Sequence, residues 1–314
     1  MKKNRKLYAY LSVLLILIIG GYFVLNNVFG IINVFRDARL KAAGYESGYY
    51  NTDSSSIYYY KGGSGPKKVL LIHGFGVGGA TTWFDAMLGL NKDVELLVPD
   101  LMWFGKSDGK YEPTLTNQAK VVRELCDYLG YKPDVIAGIS YGGFVALEIL
   151  NQDPNLYSEL VIVNSPGVTF GKADVELMCQ RAGAESADML FVPNEASKLG
   201  QLLKFVTSGG IPDLPDFFLN QMFTSETLKH AENKRKLMRD LVGNSEEYKS
   251  HMNVRYKSAG VIWSKNDSVF PLRYGIQLAD TLDAPLYTLE NSGHIPMPSD
   301  REVYVERLRD LFVK

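Results

Sequence analysis

Short apolar runs alternate with longer amphipathic stretches along most of the chain beyond residue 60. The runs hold four to six residues and are rich in Val, Ile and Leu, which is typical of strands buried on both faces of a parallel sheet. They lie at residues 69–72, 94–99, 135–139, 160–164, 259–263 and 285–289. The amphipathic stretches predict helices at 116–128, 142–151, 272–282 and 301–312. We therefore predict an α/β fold with a mostly parallel sheet and helices on both faces.

Two regions depart from this alternation. Residues 45–61 contain two predicted strands, which precede the first buried run and end at the breaker sequence GGSGP. Between 166 and 255 no comparable strand run occurs, and the sequence is helical with mixed polarity. Ligands of open α/β sheets bind beyond the carboxyl ends of the strands, the edge over which such an insertion lies. We predict that residues at about 167–255 form a helical lid.

Residues 7–25 form a long apolar stretch, nineteen residues without a charge. As a helix, this stretch spans roughly the 30 Å of a bilayer core. Four of the first six residues are basic, which favours a membrane helix whose N-terminus is cytoplasmic. We predict a membrane anchor at 1–34 and a domain at 35–314 on the non-cytoplasmic side. A cleaved signal peptide is the alternative, although the stretch exceeds the usual 7–15 apolar residues.

Composition and charge exclude several classes of protein. The chain is 46% hydrophobic and 22% charged, which is typical of a globular protein. Its 34 basic residues are balanced by 35 acidic residues, and the basic residues form no dense stripe of Lys and Arg. We therefore expect no nucleic-acid partner. The two cysteines and four histidines lack the spacing of a zinc site, and we predict neither a metal nor a cofactor. Cys126 lies on an apolar helical stripe and is predicted to be a buried thiol.

The sequence Gly138-Ile139-Ser140-Tyr141-Gly142 joins a predicted strand directly to a predicted helix. A nucleophile elbow needs this context, because the sharp turn strains the serine and only small residues fit two positions to either side. The G-x-S-x-G spacing alone is a weak signal, and its position between strand and helix strengthens it. We predict Ser140 as a nucleophile.

A serine hydroxyl needs an imidazole to take its proton and a carboxylate to orient that imidazole. His294 is the candidate base, because it lies in the loop between the last strand and the last helix. Asp267 follows the strand at 259–263 and is the candidate acid. The loop after 160–164 offers Asn164 and Ser165 but no acid, which removes the main competitor.

Two backbone N–H groups must stabilise the oxyanion that forms when a serine attacks an acyl carbon. Tyr141, the residue after the nucleophile, supplies one of them. We expect Phe75, in the sequence HGFG at 73–76, to supply the other. A phosphate-binding loop is disfavoured, because GFGVGGA lacks both the G-x-G-x-x-G spacing and a G-K-[ST] ending.

These motifs together resemble the ordered motif set of the α/β-hydrolase superfamily. They are HGFG (73–76), PDLMWFGKSD (99–108), GISYGG (138–143), WSKND (263–267) and SGHIPMPSD (292–300). Within the superfamily the chain is most similar to membrane-anchored lipases and esterases of the monoacylglycerol-lipase type. That resemblance implies a triad of Ser140, Asp267 and His294. One departure is that Met102-Trp103 replaces the usual Pro-Gly in a loop that borders the pocket.

The leading hypothesis is a serine carboxylester hydrolase that cleaves lipid-like esters through an acyl-enzyme. Carbon–carbon bond hydrolases, thioesterases and peptidases with the same serine remain alternatives, as does a non-catalytic binding or signalling module on the same scaffold. The sequence leaves the oligomeric state open.

The predicted substrate contacts combine an aromatic residue of the departing loop with an apolar cluster of the lid. They are Trp103, Phe217, Phe218, Met222 and Phe223. The basic run Lys234-Arg235-Lys236 is expected to be a solvated helix face. We expect the segment 36–44 only to separate the anchor from the first strand, so that a chain starting near Lys41 keeps its activity on dispersed esters.

Overall fold

The computed structural model describes residues 2–156, 158–251, 254–296 and 298–313, with the backbone alone for 2–9, 16, 18, 19 and 168. Met252 and Asn253 of the predicted lid and Met297 of the last motif lie outside the described residues. Within those residues one sheet holds all the strands. They are β1 (Glu46–Asn51), β2 (Ser55–Gly62), β3 (Lys67–Ile72), β4 (Val94–Pro99), β5 (Asp108–Gly109), β6 (Val135–Ile139), β7 (Glu159–Val163), β8 (Ala259–Ser264) and β9 (Leu286–Leu289).

The sheet is mostly parallel, as predicted. Its order is β1-β2-β4-β3-β6-β7-β8-β9, and β5 pairs with β2. Strand β2 runs antiparallel to β1, β4 and β5, while every pair from β4 to β9 along this order is parallel. All residues of β6 and β7 are buried, which explains their continuous apolar sequences. The six predicted runs are all strands, with bounds that agree to within two residues.

Helices cover both faces of this sheet and fill the insertion at 166–255. They are α1 (Lys2–Ala42), α2 (Gly79–Thr82), α3 (Phe84–Leu90), α4 (Leu115–Tyr128), α5 (Tyr141–Gln152), α6 (Lys172–Ala182), α7 (Ala187–Phe191), α8 (Ala196–Val206), α9 (Asp216–Met222), α10 (Ala231–Gly243), α11 (Ser245–Ser250), α12 (Leu272–Thr281) and α13 (Arg301–Val313). A π-helical turn, Phe223–Thr227, follows α9, and short 3₁₀ turns lie at Gly167–Thr169 and Pro298–Asp300. The sequence pattern does not predict helices α2 and α3, because both are short, contain two glycines and two threonines between them, and show no clear 3.6-residue period.

The core consists of two apolar clusters, one on each face of the sheet. Successive residues of β3 alternate between them: Leu70 and Ile72 belong to one cluster, Val69 and Leu71 to the other. This alternation follows from the two-residue period of a strand, and burial on both faces requires every position to be apolar. The thiol of Cys126 is buried in the first cluster, as predicted.

Helix α1 continues across the predicted boundary at residues 34 and 35, and its end packs on the sheet. Leu40 is fully buried in the second apolar cluster. Asp37 accepts a hydrogen bond of 2.7 Å from the hydroxyl of Tyr60 and forms an ion pair of 2.9 Å with Lys106. The expectation that the segment 36–44 only separates two parts was therefore wrong. A chain starting at Lys41 would lack a core side chain.

We predict that Leu40→Ala destabilises the protein by about 2–5 kcal/mol, because it removes apolar contacts and leaves a cavity. Phe35→Ala is the matched control, since Phe35 lies on the same helix and is 68% exposed. Its effect should stay within about 0.5 kcal/mol. Denaturant unfolding of the detergent-solubilised full-length protein measures both. Equal effects of the two variants would contradict the inclusion of α1 in the core.

Candidate active site

Ser140 occupies a strained turn between β6 and α5. Its φ of 53° and ψ of −122° lie in a region that residues other than glycine rarely adopt. A Cβ atom on Gly138 would lie 2.2 Å from the carbonyl oxygen of Gly142, and one on Gly142 would lie 2.3 Å from that of Ile72. Backbone oxygens cannot move aside cheaply, so glycine is required at both positions. The small residues that the motif demands are therefore explained by contacts.

Ser140, His294 and Asp267 form one hydrogen-bonded chain. The Oγ of Ser140 lies 2.8 Å from Nε2 of His294, and Nδ1 of His294 lies 2.8 Å from Oδ2 of Asp267. The serine follows β6, the aspartate follows β8 and the histidine follows β9. These parallel strands end at the same edge of the sheet, which brings residues separated by up to 154 positions into contact.

The carboxylate of Asp267 is held in one orientation. Its side chain is fully buried, and Oδ1 accepts hydrogen bonds of 2.8 Å from the backbone N–H groups of Val269 and Phe270. Oδ2 is thereby aimed at His294. Because a carboxylate only accepts, the imidazole donates through Nδ1 and leaves Nε2 with a lone pair toward Ser140. This tautomer can take the proton of the serine hydroxyl.

Asn164, at the end of β7, holds the two loops that carry the acid and the base. Its Nδ2 group donates to the backbone carbonyl of His294 at 2.8 Å and to the hydroxyl of Ser264 at 3.0 Å, and its Oδ1 accepts from the N–H of Ser264 at 2.8 Å. The side chain is fully buried. In the sequence, Asn164 was considered only because the loop that contains it offers no acid. The signal that could have indicated its structural role is a side-chain amide at the end of an apolar strand.

The glycine-rich loop 73–76 lies against Ser140. A Cβ atom on Gly74 would lie 3.1 Å from the Cβ of Ser140, so the loop backbone is close to the serine side chain. The ring of Phe75 packs at right angles to the ring of Tyr141, with centroids 5.6 Å apart. Tyr141 is the first residue of α5, where backbone N–H groups have no partner within the helix. The two residues predicted to supply the oxyanion donors are therefore brought together beside Ser140.

His73 has a structural role in this loop. Its Nε2 accepts a hydrogen bond of 2.8 Å from the N–H of Leu101, and its Nδ1 lies 2.6 Å from the carbonyl oxygen of Gly74. Complete burial lowers the pKa of His73 to about 4. The ring is therefore neutral at physiological pH, and both of its nitrogens are occupied. This arrangement agrees with the choice of His294 as the base.

A cavity of about 350 Å³ opens beside Ser140 and His294. Most of its lining is apolar and comes from the 73–76 loop and the helical insertion: Phe75, Phe191, Leu199, Leu202, Leu203, Val206 and Met222. A volume of this size lies in the range of small-molecule sites. Among the described residues, no group of His, Cys, Asp and Glu side chains has the arrangement of a metal site.

Of the five predicted substrate contacts, the structure brings Met222 to the cavity, and the described lining does not include the other four. Trp103 has a φ of 69° and is fully buried, and its indole donates to the carbonyl of Gly109 at 3.0 Å. Phe217 is 41% exposed at the surface, and Phe218 packs on Phe29 of α1. Phe223 is half-buried in the π-helical turn.

A lysine lines the same apolar cavity. Lys234 is 2% exposed, so the expectation of a solvated helix face is wrong for this residue. Its ammonium donates to the carbonyl of Glu226 in the π-helical turn and lies 5.1 Å from the ring centroid of Phe104. Burial lowers the pKa of Lys234 to about 8 and raises that of the Glu226 carboxyl. Both residues add polar groups to the lining of this mostly apolar cavity.

Comparison with known proteins places this geometry in a family. The model of the alpha/beta hydrolase family matches residues 69–307. An uncharacterized protein of Mycobacterium tuberculosis is 28% identical over 260 residues, which cover 78% of this chain and 74% of that protein. An esterase of the same organism is 36% identical over 109 residues, which cover 33% of this chain and 34% of the esterase. A solved structure described as a membrane phospholipase A, a novel bacterial virulence factor, has a TM-score of 0.72 at 22% identity and covers 97% of both chains.

The chain belongs to the alpha/beta hydrolase family, because the family model covers most of its length. The fold class predicted from the sequence is confirmed. Strands β4 to β9, most of β3 and the loops that carry Ser140, Asp267 and His294 lie within the matched residues.

Proposed function

We propose that this protein is a serine carboxylester hydrolase that cleaves lipid-like esters through an acyl-enzyme intermediate. The observation that carries the proposal is the hydrogen-bonded chain from Asp267 through His294 to Ser140. In this chain Ser140 lies on a strained turn and beside an apolar cavity. A serine hydroxyl is a weak nucleophile without a base, and this chain supplies a base in the required tautomer.

In the first half of the reaction, Oγ of Ser140 attacks the ester carbonyl carbon while Nε2 of His294 takes the hydroxyl proton. The carbonyl π electrons move onto oxygen, and the backbone N–H groups of Phe75 and Tyr141 stabilise the resulting oxyanion. The buried carboxylate of Asp267 stabilises the imidazolium. His294 then protonates the alcohol oxygen as the carbon–oxygen bond breaks, which leaves an acyl-serine ester.

In the second half, water replaces the alcohol. His294 takes a proton from the water, and the water oxygen attacks the acyl carbon to form a second tetrahedral intermediate. Its collapse returns the proton to Oγ of Ser140 and releases the carboxylic acid. Neither half needs a metal or an organic cofactor, since every proton moves between His294 and a reacting oxygen.

The apolar cavity favours an acyl or alkyl group over a polar substrate. The partial match to an esterase supports ester chemistry, because esters are that relative's substrates by name. Thioesters, amides and activated carbon–carbon bonds could use the same serine, and the substrate experiment below separates these reactions. Monoacylglycerols are the lipid esters that we propose first, on the resemblance of the motif set.

We further propose that α1 anchors the enzyme in a membrane with the hydrolase domain on the non-cytoplasmic side. The helix has a window of mean hydropathy 2.1 and is long enough to span a bilayer, a property that signal sequences share. Retention of the helix is favoured by the packing of Leu40 and by the contact between Phe29 and Phe218. Helices α6–α11, which supply much of the cavity wall, would act as the lid.

We predict that Ser140→Ala lowers kcat for p-nitrophenyl butyrate by on the order of 10⁶-fold, because no other group forms the acyl bond. Asp267→Asn should lower it less, by on the order of 10⁴-fold, since a misoriented imidazole still lies beside the oxyanion donors. Steady-state kinetics with the full-length protein in detergent measure both losses, and circular dichroism checks folding.

Asn266→Ala is a matched control for the acid, because Asn266 is the neighbouring residue and its amide donates to the carbonyl of Glu290 rather than to His294. Its kcat should stay within a few-fold of the unmodified protein. A folded Ser140→Ala protein with more than a few per cent of the activity would contradict the role of the serine. A silent Asp267→Asn substitution would contradict the role of the acid.

We predict that kcat/KM for p-nitrophenyl esters rises with acyl length by up to about fourfold per methylene, since each buried CH₂ contributes about 0.8 kcal/mol. The rise should stop when the cavity is filled, and monoacylglycerols of the favoured length should be hydrolysed. A profile that is flat from acetate to dodecanoate would contradict an acyl-binding cavity. Faster cleavage of matched thioesters or anilides would replace the ester assignment.

A further inference from the structure

Helix α1 is kinked at Asn27, where φ is −131° and ψ is 16°. The side-chain amide of Asn27 donates to the carbonyl of Phe23 at 2.8 Å. A kink of this kind breaks the hydrogen bond between a backbone N–H and the carbonyl four residues earlier. At this position, the pair that a straight helix would join is the N–H of Phe29 and the carbonyl of Leu25.

The side-chain amide of Gln221 in helix α9 forms hydrogen bonds with both of these backbone groups. Its Oε1 accepts from the N–H of Phe29 at 3.1 Å, and its Nε2 donates to the carbonyl of Leu25 at 2.6 Å. One primary amide thus satisfies both backbone groups that the kink separates. The insertion and the N-terminal helix are joined here across 196 positions of sequence.

The position of this contact along α1 places α9 near a membrane surface. Residues 7–35 carry no charge, but the apolar run is interrupted after Leu25 by Asn26 and Asn27, so the contact lies where the helix would leave the bilayer. Phe218 of α9 packs edge to face on Phe29, with centroids 6.0 Å apart. The adjacent Phe217 is 41% exposed, so α9 presents an apolar aromatic ring at its surface beside this contact.

Helix α1 contacts two elements that line the cavity containing Ser140. In α9, Met222 lines the cavity and is next to Gln221. In α2, Thr81 lines the cavity and accepts a hydrogen bond from the guanidinium of Arg36 on α1. Helix α1 is therefore linked to the cavity wall both through α9 and through α2.

We propose that Gln221 is a positioning residue that fastens α9 to the kink of α1, so that α9 lies on the bilayer surface and the cavity receives substrate from the membrane. This inference rests on the membrane anchoring proposed above and is independent of which ester is cleaved. The side-chain amide at position 221 sets the orientation of the insertion relative to the membrane. If helix packing alone set this orientation, no amide would be required at that position.

Tryptophan fluorescence in lipid vesicles tests the position of α9. The native Trp83, Trp103 and Trp263 are at most 1% exposed, so a surface tryptophan reports separately. In full-length protein reconstituted with brominated phosphatidylcholine, Phe217→Trp should lose at least half of its added fluorescence. The matched control is Ile276→Trp on α12, at a residue that is 48% exposed, and its fluorescence should change by less than a tenth.

Adding Gln221→Ala to Phe217→Trp should reduce the quenching by at least twofold. Equal quenching at 217 and 276 would overturn the placement of α9 on the bilayer. Quenching at 217 that Gln221→Ala leaves unchanged would overturn the positioning role of the glutamine.

Kinetics provide a second readout. Gln221→Ala should keep the rate on water-soluble p-nitrophenyl acetate within twofold and lower the rate on a vesicle-embedded ester at least fivefold. Asn220→Ala is the control, because Asn220 is the exposed neighbour and, among the described residues, no hydrogen bond joins its side chain to α1. Equal losses on both substrates would indicate a merely structural role and overturn the proposal. If the unmodified protein cleaves neither ester, the proposed function fails, while the fluorescence experiment still decides the position of α9.

Discussion

The hydrogen bond between Asp267 and His294 is the interaction on which the candidate site depends. It fixes the tautomer of the imidazole, and only that tautomer offers a lone pair to Ser140. The bond forms because β6, β7, β8 and β9 are adjacent and parallel, so that the loops at their carboxyl ends meet. Asn164 joins the end of β8 to the loop after β9, and the glycines around Ser140 permit the sharp turn that carries the serine.

The three residues of the hydrogen-bonded chain, Ser140, His294 and Asp267, could be predicted from the sequence because each has a local signal. Ser140 has a glycine pattern between a strand and a helix, while Asp267 and His294 end strands in a known order. Asn164 has only a weak local signal, an amide that ends an apolar strand, because its role depends on which strands lie beside β7. Four of the five predicted substrate contacts lie outside the described cavity lining for a related reason: helical spacing does not tell which face of α9 meets the cavity, and the backbone of Trp103 turns its ring into the core.

The N-terminal region shows the same limit. Composition predicts an apolar span and basic residues before it, but the burial of Leu40 depends on the sheet that it contacts. The contact of Gln221 with Leu25 and Phe29 joins two segments whose sequences contain no mutual signal. The burial of Lys234 in the cavity likewise could not be predicted, because this residue lies in a basic run that is typical of solvent-exposed helices.

Covalent labelling tests the central claim, that Ser140 is a nucleophile activated by His294, without assuming a substrate. The full-length protein is treated with a fluorophosphonate, digested and analysed by mass spectrometry to locate the phosphonylated residue. We expect one adduct, on Ser140, which forms much more slowly in a His294→Ala variant. An unlabelled Ser140 in folded protein, or an equal labelling rate without His294, would contradict the claim.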